Sequence, residues 1–190
     1  MTQIVTILTQ GFADWETALL NAVARSFYGV ETLHATPDGE SVTSSGGMRI
    51  VADLAIADID IGALDALVVC GGAAWQADEP PDIAPQLRAA RAAGKVIGLI
   101  CDGTVAGARA GLLDEVAHTS NGVGYLAFTG YAGAARYSDV PEAVADGPIV
   151  TAAGTAPVSF MVEVMRGLDL ADDNLAYYVG LHRAQHGAAA

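Results

Sequence analysis

The chain is poor in basic residues. Its 190 residues include one lysine, Lys95, and eight arginines against 22 acidic residues, which gives a formal net charge of −13. Proteins that bind nucleic acids or anionic membranes use basic surfaces to neutralise phosphate groups. We therefore expect no nucleic acid and no membrane among the partners of this protein.

Long hydrophobic runs are also missing, although 52% of the residues are hydrophobic. The apolar residues come in short runs broken by Gly, Pro and acids, and none approaches the roughly 20 residues of a membrane span. Residues 1–8 lack the basic segment and cleavage site of a signal peptide and predict a first strand instead. We expect a cytoplasmic protein with a single domain over residues 1–190.

Cysteine is scarce, with only Cys70 and Cys101, and both end apolar runs. Without a secretion signal, free thiols are expected rather than a disulfide. Cys70 has no helix directly after it and is expected to lie in the core. His182 and His186 stand four residues apart in the last predicted helix, but no third ligand of matching pattern is evident, so we expect no metal and no other cofactor.

Apolar runs alternate with helical patterns, which predicts an α/β fold: a mostly parallel sheet with helices on both faces. The predicted strands are 3–8, 30–35, 64–70, 96–100 and 149–152. The predicted helices are 14–27, 83–93, one from the turn after Cys101 to about 110, 156–168 and 172–185. The remaining segments predict a hairpin over 41–51, a short extended stretch over 116–120, irregular or weakly helical structure over 121–135 and a small strand pair within 136–144.

The first predicted helix carries an apolar stripe, and Asp14 is its predicted N-cap. The stripe consists of Trp15, Leu19, Ala22, Val23 and Phe27. Trp75 lies in the loop that follows the predicted strand 64–70. A large aromatic side chain in a loop usually has a structural or functional role. A lid over a pocket and a dimer contact are both consistent with this position.

Cys101 is the strongest candidate for chemistry, because it links the apolar run 96–100 directly to a helical segment. At the start of a helix, backbone N–H groups and the helix dipole stabilise a thiolate. The local sequence by itself leaves a buried core cysteine as an equal alternative.

Other candidates come from loops that should meet Cys101, because ligands of open α/β sheets bind at the carboxyl ends of the strands. Gly71 and Gly72 allow close backbone approach and N–H donation to an oxyanion, with the Asp102 N–H as a second donor. Glu16 would place a carboxyl beside the sulfur. The Asp102 side chain either donates a proton or points outward.

Six segments together resemble the DJ-1/PfpI superfamily, with its domain similar to class I glutamine amidotransferases. They are 14–16, 68–72, 100–104, 110–114, 118–121 and 151–156. The resemblance implies a flavodoxin-like three-layer sandwich with a nucleophile elbow, and a homodimer. It also implies that Cys101 is the nucleophile, that Glu16 hydrogen-bonds its thiolate, and that Gly71 with Gly72 forms the oxyanion turn.

One departure from the family pattern concerns Asn121, which stands where many members have a histidine. Asparagine cannot relay a proton, so general-base work falls to Glu16, Asp102 or a displaced histidine. His118 is the nearest histidine in sequence, but along an extended strand it should lie roughly 10 Å away on the opposite face. Glutamine hydrolysis is disfavoured, because residues 182–186 do not reproduce the C-terminal His and Glu of amidotransferases.

The resemblance defines a site better than a reaction. The first hypothesis is a cysteine-dependent enzyme, of hydrolase, hydratase or glyoxalase-like type, that acts on a small-molecule substrate through Cys101. Trp75 and Asn121 are its candidate substrate-binding residues, together with Gly71 and Gly72. The alternative is a redox or stress sensor in which Cys101 is oxidised to a sulfinic acid. An inactive scaffold is a third possibility.

Overall fold

The computed structural model describes residues 1–187. The strands are β1 (Gln3–Ile7), β2 (Glu31–Thr36), β3 (Val42–Thr43), β4 (Arg49–Ile50), β5 (Leu54–Ala55), β6 (Ala66–Val69), β7 (Val96–Ile100), β8 (Val144–Asp146) and β9 (Ile149–Ala152). The helices are α1 (Asp14–Tyr28), α2 (Ala84–Ala92), α3 (Gly103–Arg109), α4 (Pro157–Gly167) and α5 (Asp173–Gly187). Within this part of the chain, no helix is both long and apolar enough to cross a membrane.

Seven strands form one sheet in the order β5-β2-β1-β6-β7-β9-β8, and only β8 runs antiparallel to its neighbour. The strands β3 and β4 form the predicted hairpin as a separate antiparallel pair. Alternate residues of each central strand face opposite sides: Ile97 and Leu99 pack toward α2 and α3, whereas Ile100 packs toward α1 and α4. The fold is thus the expected flavodoxin-like three-layer α/β sandwich.

The sheet order changes direction at β1, whose neighbours are β2 and β6. The carboxyl ends of β1, β6, β7 and β9 therefore lie side by side, and the segments that follow them converge. Gly98 of β7 has no room for a side chain, because a Cβ there would lie 2.8 Å from a ring carbon of Phe160. This close packing of α4 against β7 fixes the position of the residue that follows the strand.

The predicted apolar stripe of α1 is wrong for Trp15 and Phe27, whereas its member Val23 is buried as expected. Trp15 and Phe27 are 56% and 64% exposed, whereas Leu20 and Val23 are buried together with the carboxyl of Glu16. Asp14 is not the N-cap, since Ala13 occupies that position without a side-chain cap. The Asp14 carboxylate instead accepts hydrogen bonds from the hairpin, from the Ser44 hydroxyl and the Gly46 N–H.

The segment between α3 and β8 also differs from expectation. Residues 116–120 form no strand and contribute only an isolated bridge between His118 and Tyr137. The strand pair predicted within 136–144 is absent from the described chain, because β8 starts at Val144 and pairs with β9. Short 3-10 turns occupy Ala127–Thr129 and Gly133–Arg136.

Candidate active site

Cys101 forms a sharp turn between β7 and α3. Its φ angle is +55°, which non-glycine residues rarely adopt, and its side chain is half-buried. The turn is held at both ends: the Cys101 N–H donates to the Ala152 carbonyl, and the Cys101 carbonyl accepts from the Thr104 N–H and hydroxyl. A Cβ at Gly103 would clash with the Val69 carbonyl oxygen, so position 103, two residues after Cys101, must be glycine. The expected nucleophile elbow is present.

Glu16 lies below this turn and is fully buried. Its Oε2 accepts a hydrogen bond of 2.7 Å from the Gly71 N–H. Its Oε1 is buried and meets no described hydrogen-bond donor apart from the neighbouring thiol of Cys101. A Cβ at Gly154 would lie 2.8 Å from Oε1 and 2.9 Å from the Cys101 sulfur, so these two atoms lie side by side against that glycine.

The buried pair shares protons. Burial raises the pKa of the Glu16 carboxyl to about 7, and the hydrogen bonds from Cys101 and Gly71 offset this only in part. Burial also raises the pKa of the Cys101 thiol to about 12, and the charges of Glu16 and Asp102 add to the increase. Glu16 and Cys101 are thus electrostatically coupled, because a protonated Glu16 no longer adds its charge to the increase in the pKa of the thiol.

Asn121 contacts the sulfur directly. Its Oδ1 accepts a hydrogen bond of 3.0 Å from the Gly154 N–H, which can only donate, and its Nδ2 therefore faces Sγ of Cys101 at 3.2 Å. The side-chain amide is thus a donor to sulfur, and it lowers the pKa of the thiol. Asn121 stabilises a thiolate and cannot accept the thiol proton.

His118 does not take part in the site. It is fully buried, its Nδ1 donates to the Val116 carbonyl at 2.9 Å, and its Nε2 faces the Tyr131 hydroxyl at 3.3 Å. Its ring packs edge-on against Tyr131 and Tyr137. Its position agrees with the expectation that it lies away from Asn121 and the sulfur.

The Asp102 side chain is buried and does not point outward. Its Oδ1 accepts a hydrogen bond of 2.7 Å from Gln76 Nε2 and another from the Tyr125 hydroxyl. Gln76 Nε2 also donates to the Tyr125 oxygen at 2.9 Å. Neither Gln76 nor Tyr125 was predicted from the sequence, because each lies in an irregular segment with no motif to mark it.

The oxyanion turn needs a correction. The Gly71 N–H is already used by Glu16, and a Cβ at Gly71 would lie 2.5 Å from Glu16 Oε2 and 2.7 Å from the Cβ of Cys101. Gly71 therefore makes room for the Glu16–Cys101 pair rather than binding an oxyanion. In the described part of the chain, the N–H groups of Gly72 and Asp102 have no hydrogen-bond partner and remain the candidate donors.

Trp75 is neither a lid nor a surface contact. It is 1% exposed, and its indole N–H donates to the Cys70 carbonyl at 2.8 Å. The aromatic residue at the rim of the site is Trp15, whose indole N–H donates to the Gly154 carbonyl at 3.0 Å. Trp15 was not predicted to lie at the site, because it was assigned to the buried apolar stripe of α1.

Cys70 is a buried core thiol, and both cysteines are free, as expected. Its sulfur lies 3.3 Å from the Ala13 carbonyl oxygen and 3.8 Å from Glu16 Oε2. Burial raises the pKa of this thiol far above the ordinary range. Cys70 is also closed to solvent, so reagents cannot reach its sulfur as they can reach the half-exposed Cys101.

Among the residues that the structure describes, neither a metal site nor the groove between α4 and α5 offers an alternative to the candidate site at Cys101. No group of three or more His, Cys, Asp or Glu residues suited to a metal ion occurs among the side chains described, and the His186 side chain lies outside them. A groove of about 1140 Å³ between α4 and α5 reaches Thr155 and Ala156, but Cys101, Glu16 and Asn121 do not line it.

Comparison with known proteins agrees with this fold. Residues 2–167 match the DJ-1/PfpI family. The uncharacterized protease YoaZ of Bacillus subtilis is 34% identical over 149 residues, which are 77% of this chain and 70% of that protein. A DJ-1 superfamily protein of Agrobacterium tumefaciens is 42% identical with a TM-score of 0.94, over 98% of this chain and all of the other. A ThiJ/PfpI family protein of Bacillus anthracis is 28% identical with a TM-score of 0.87, over 97% and 91% of the two chains. The chain belongs to the DJ-1/PfpI family.

Proposed function

We propose that this protein is a cysteine-dependent enzyme that acts on a small electrophilic molecule, with Cys101 as nucleophile and Glu16 as its proton partner. The observation that carries the proposal is the contact between the half-exposed sulfur and the buried Glu16 Oε1, side by side against Gly154. A buried carboxyl with a pKa of about 7 can take up and return a proton at neutral pH.

The first chemical step uses five groups. The thiol proton passes to Glu16 Oε1, while the Asn121 amide holds the sulfur through its 3.2 Å hydrogen bond. The thiolate then forms a bond to the electrophilic carbon, and the electron pair displaced from the carbon–oxygen double bond moves to the oxygen. The N–H groups of Gly72 and Asp102 are placed to receive that charge, and Glu16 returns the proton to the oxygen.

This addition to a carbon–oxygen double bond is common to amide hydrolysis and glyoxalase-like reactions, whereas an isocyanide hydratase would attack a carbon that has no such bond. The name of the Bacillus subtilis relative, a protease, points to amide hydrolysis. Expelling an amine requires a proton donor, a task that histidine often performs, and no described histidine contacts Cys101. The site therefore favours addition to a carbonyl-type carbon, in which Glu16 only returns the proton that it received.

The test is turnover by the Cys101→Ser variant. Wild-type protein and the variant are assayed with a small dicarbonyl such as glyoxal, an isocyanide and a simple amide, and folding is checked by thermal unfolding. We expect wild-type turnover of the dicarbonyl and a loss of about a thousandfold or more in the variant. Equal turnover by a folded Cys101→Ser protein, or no wild-type turnover of any of the three, contradicts the proposal.

A second candidate is redox sensing, which the same contacts favour. The oxygens of a sulfinate on Cys101 would find a donor in Asn121 Nδ2 and another in protonated Glu16. Intact mass after mild peroxide separates the two functions. A stable gain of two oxygens on Cys101, without turnover of any compound tested, supports sensing.

A further inference from the structure

We propose that Asp102, held in place by Gln76 and Tyr125, makes the Cys101 site select uncharged or cationic electrophiles and exclude anionic ones. The inference rests on the proposed function for its biological meaning, since it assigns a substrate class to that site. It rests structurally on a cluster of three side chains at the rim of the site, none of which is needed for the transfer of a proton between Cys101 and Glu16.

The hydrogen bonds of the cluster direct two donors at the Asp102 carboxyl. Gln76 Nε2 carries two hydrogens, and it donates one to Asp102 Oδ1 and one to the Tyr125 oxygen. Tyr125 accepts from Gln76, so its own proton points to Asp102 Oδ1. Two donors thus converge on Asp102 Oδ1, an arrangement that suits a carboxylate and holds this side chain beside the nucleophile.

The site carries two negative charges. Cys101 and Glu16 hold one proton between them in the reactive state and so contribute one charge, and Asp102 contributes the second. No described Lys, Arg or His side chain forms a hydrogen bond or ion pair with these three residues. Arg109, on the helix that begins at the elbow, is turned away: it donates to the Trp75 carbonyl and lies over the Phe128 ring.

The position of Asp102 lets its charge act on a molecule that approaches Cys101. It directly follows the nucleophile, and it is almost completely buried, so water screens it poorly. Tyr125 lies next to Asn121, which contacts the sulfur, so the cluster and the reacting atom share one wall of the opening. A substrate whose carboxylate lies near its reactive carbon would bring a third negative charge into this opening.

The experiment compares two alkylating agents of nearly equal size, iodoacetamide and iodoacetate, which are neutral and anionic. Their rates with Cys101 are followed by peptide mass and divided by the rates with a small free thiol, which removes their intrinsic difference in reactivity. The measurements are made in 0.5 M salt, where distant surface charges are screened. Asp102→Asn removes the local charge, Asp102→Glu retains it, and Glu31→Gln removes a charge at the opposite end of the strands.

We expect wild-type protein to prefer iodoacetamide, and Asp102→Asn to reduce that preference by about fivefold. Asp102→Glu and Glu31→Gln should retain it. An equal preference in wild type and Asp102→Asn overturns the proposal. If Asp102→Asn does not fold, the test is made on wild-type protein with the cationic reagent 2-bromoethylamine. Its normalised alkylation rate should exceed that of iodoacetamide, and the reverse order overturns the proposal.

Failure of this inference is distinguishable from failure of the proposed function, because alkylation does not depend on turnover. Charge selection without turnover contradicts only the enzymatic proposal. Turnover that depends on Cys101 but treats glyoxylate and methylglyoxal alike, with no difference between the two alkylating agents, contradicts only the role of Asp102.

Discussion

Asn121 and Cys101 are joined by a hydrogen bond of 3.2 Å from Nδ2 to Sγ, and the Gly154 N–H fixes the orientation of the amide from its other side. The chain thus places a neutral donor where an imidazole would supply both a charge and a base. Stabilisation of the thiolate and removal of its proton are consequently divided between two residues, Asn121 above the sulfur and Glu16 below it.

Asn121→Ala should lower the reactivity of Cys101. Removing a hydrogen bond to a charged sulfur raises the pKa of the thiol by about one unit, so its alkylation rate near neutral pH should fall about tenfold. The rate is measured with iodoacetamide as a function of pH. Asn174→Ala, which removes an exposed amide on α5, is the matched control and should react like the wild type. Unchanged reactivity in Asn121→Ala would show that the amide does not support the thiolate.

Glu16→Gln should change how stability depends on pH. Folding raises the pKa of this carboxyl from 4.5 to about 7, so its contribution to native stability is fully present below pH 4.5 and is lost as the pH rises through 7. Because 2.5 units separate the two values, the free energy of unfolding of wild type relative to Glu16→Gln should fall by about 3 kcal/mol over this range.

Urea unfolding of both proteins at pH 4.5, 6 and 7.5 checks this prediction. The comparison with Glu16→Gln cancels the other titrating groups, because glutamine has a similar shape and its Oε1 can still accept from the Gly71 N–H. A constant difference between the two proteins across the three pH values would contradict the raised pKa of Glu16.

The central fold was predictable because its signals are local. The apolar runs before Cys70 and Cys101 and the run 149–152 lie in buried parallel strands, whose side chains are apolar on both faces. The strand-to-helix turn at Cys101 was visible for the same reason. These features depend on neighbours in sequence, so they appear in the sequence without any knowledge of tertiary contacts.

The faces of the site were not predictable from spacing. The buried face of α1 was predicted from its apolar residues. The face that packs on the sheet also includes Glu16, whose buried carboxyl is stabilised by the hydrogen bond from the Gly71 N–H. Trp75 is buried for a similar reason, since the Cys70 carbonyl accepts from its indole. Gln76 and Tyr125 form hydrogen bonds with each other and with Asp102. Each of these contacts joins segments distant in sequence or depends on an irregular turn.

Gly154→Ala should disrupt the site more than the fold. The added methyl group would lie within 3.0 Å of Glu16 Oε1 and of the Cys101 sulfur, and should destabilise the protein by about 1–3 kcal/mol while separating these two atoms. Alkylation of Cys101 and any turnover should be lost at temperatures where the variant remains folded.

Gly180→Ala is the matched control for this substitution. Gly180 lies in α5 with open space around its Cβ position, so alanine there should stabilise the helix by about 0.5–1 kcal/mol and leave Cys101 reactive. Normal reactivity in Gly154→Ala would show that the pair tolerates a methyl group between its atoms and that contact against Gly154 is not required.

Trp15 should report chemistry at Cys101 by fluorescence. Its half-exposed indole is bonded to the Gly154 carbonyl, and Gly154 contacts the sulfur, whereas Trp75 is buried against the Cys70 carbonyl. Alkylation of Cys101 with iodoacetamide displaces atoms next to Gly154, so the emission should change in the wild type and in Trp75→Phe. Trp15→Phe should show no change, because the indole that remains is enclosed in the core. A fluorescence change that persists in Trp15→Phe would contradict this prediction. It would mean that modification of Cys101 reaches the buried Trp75 through the turn that follows β6.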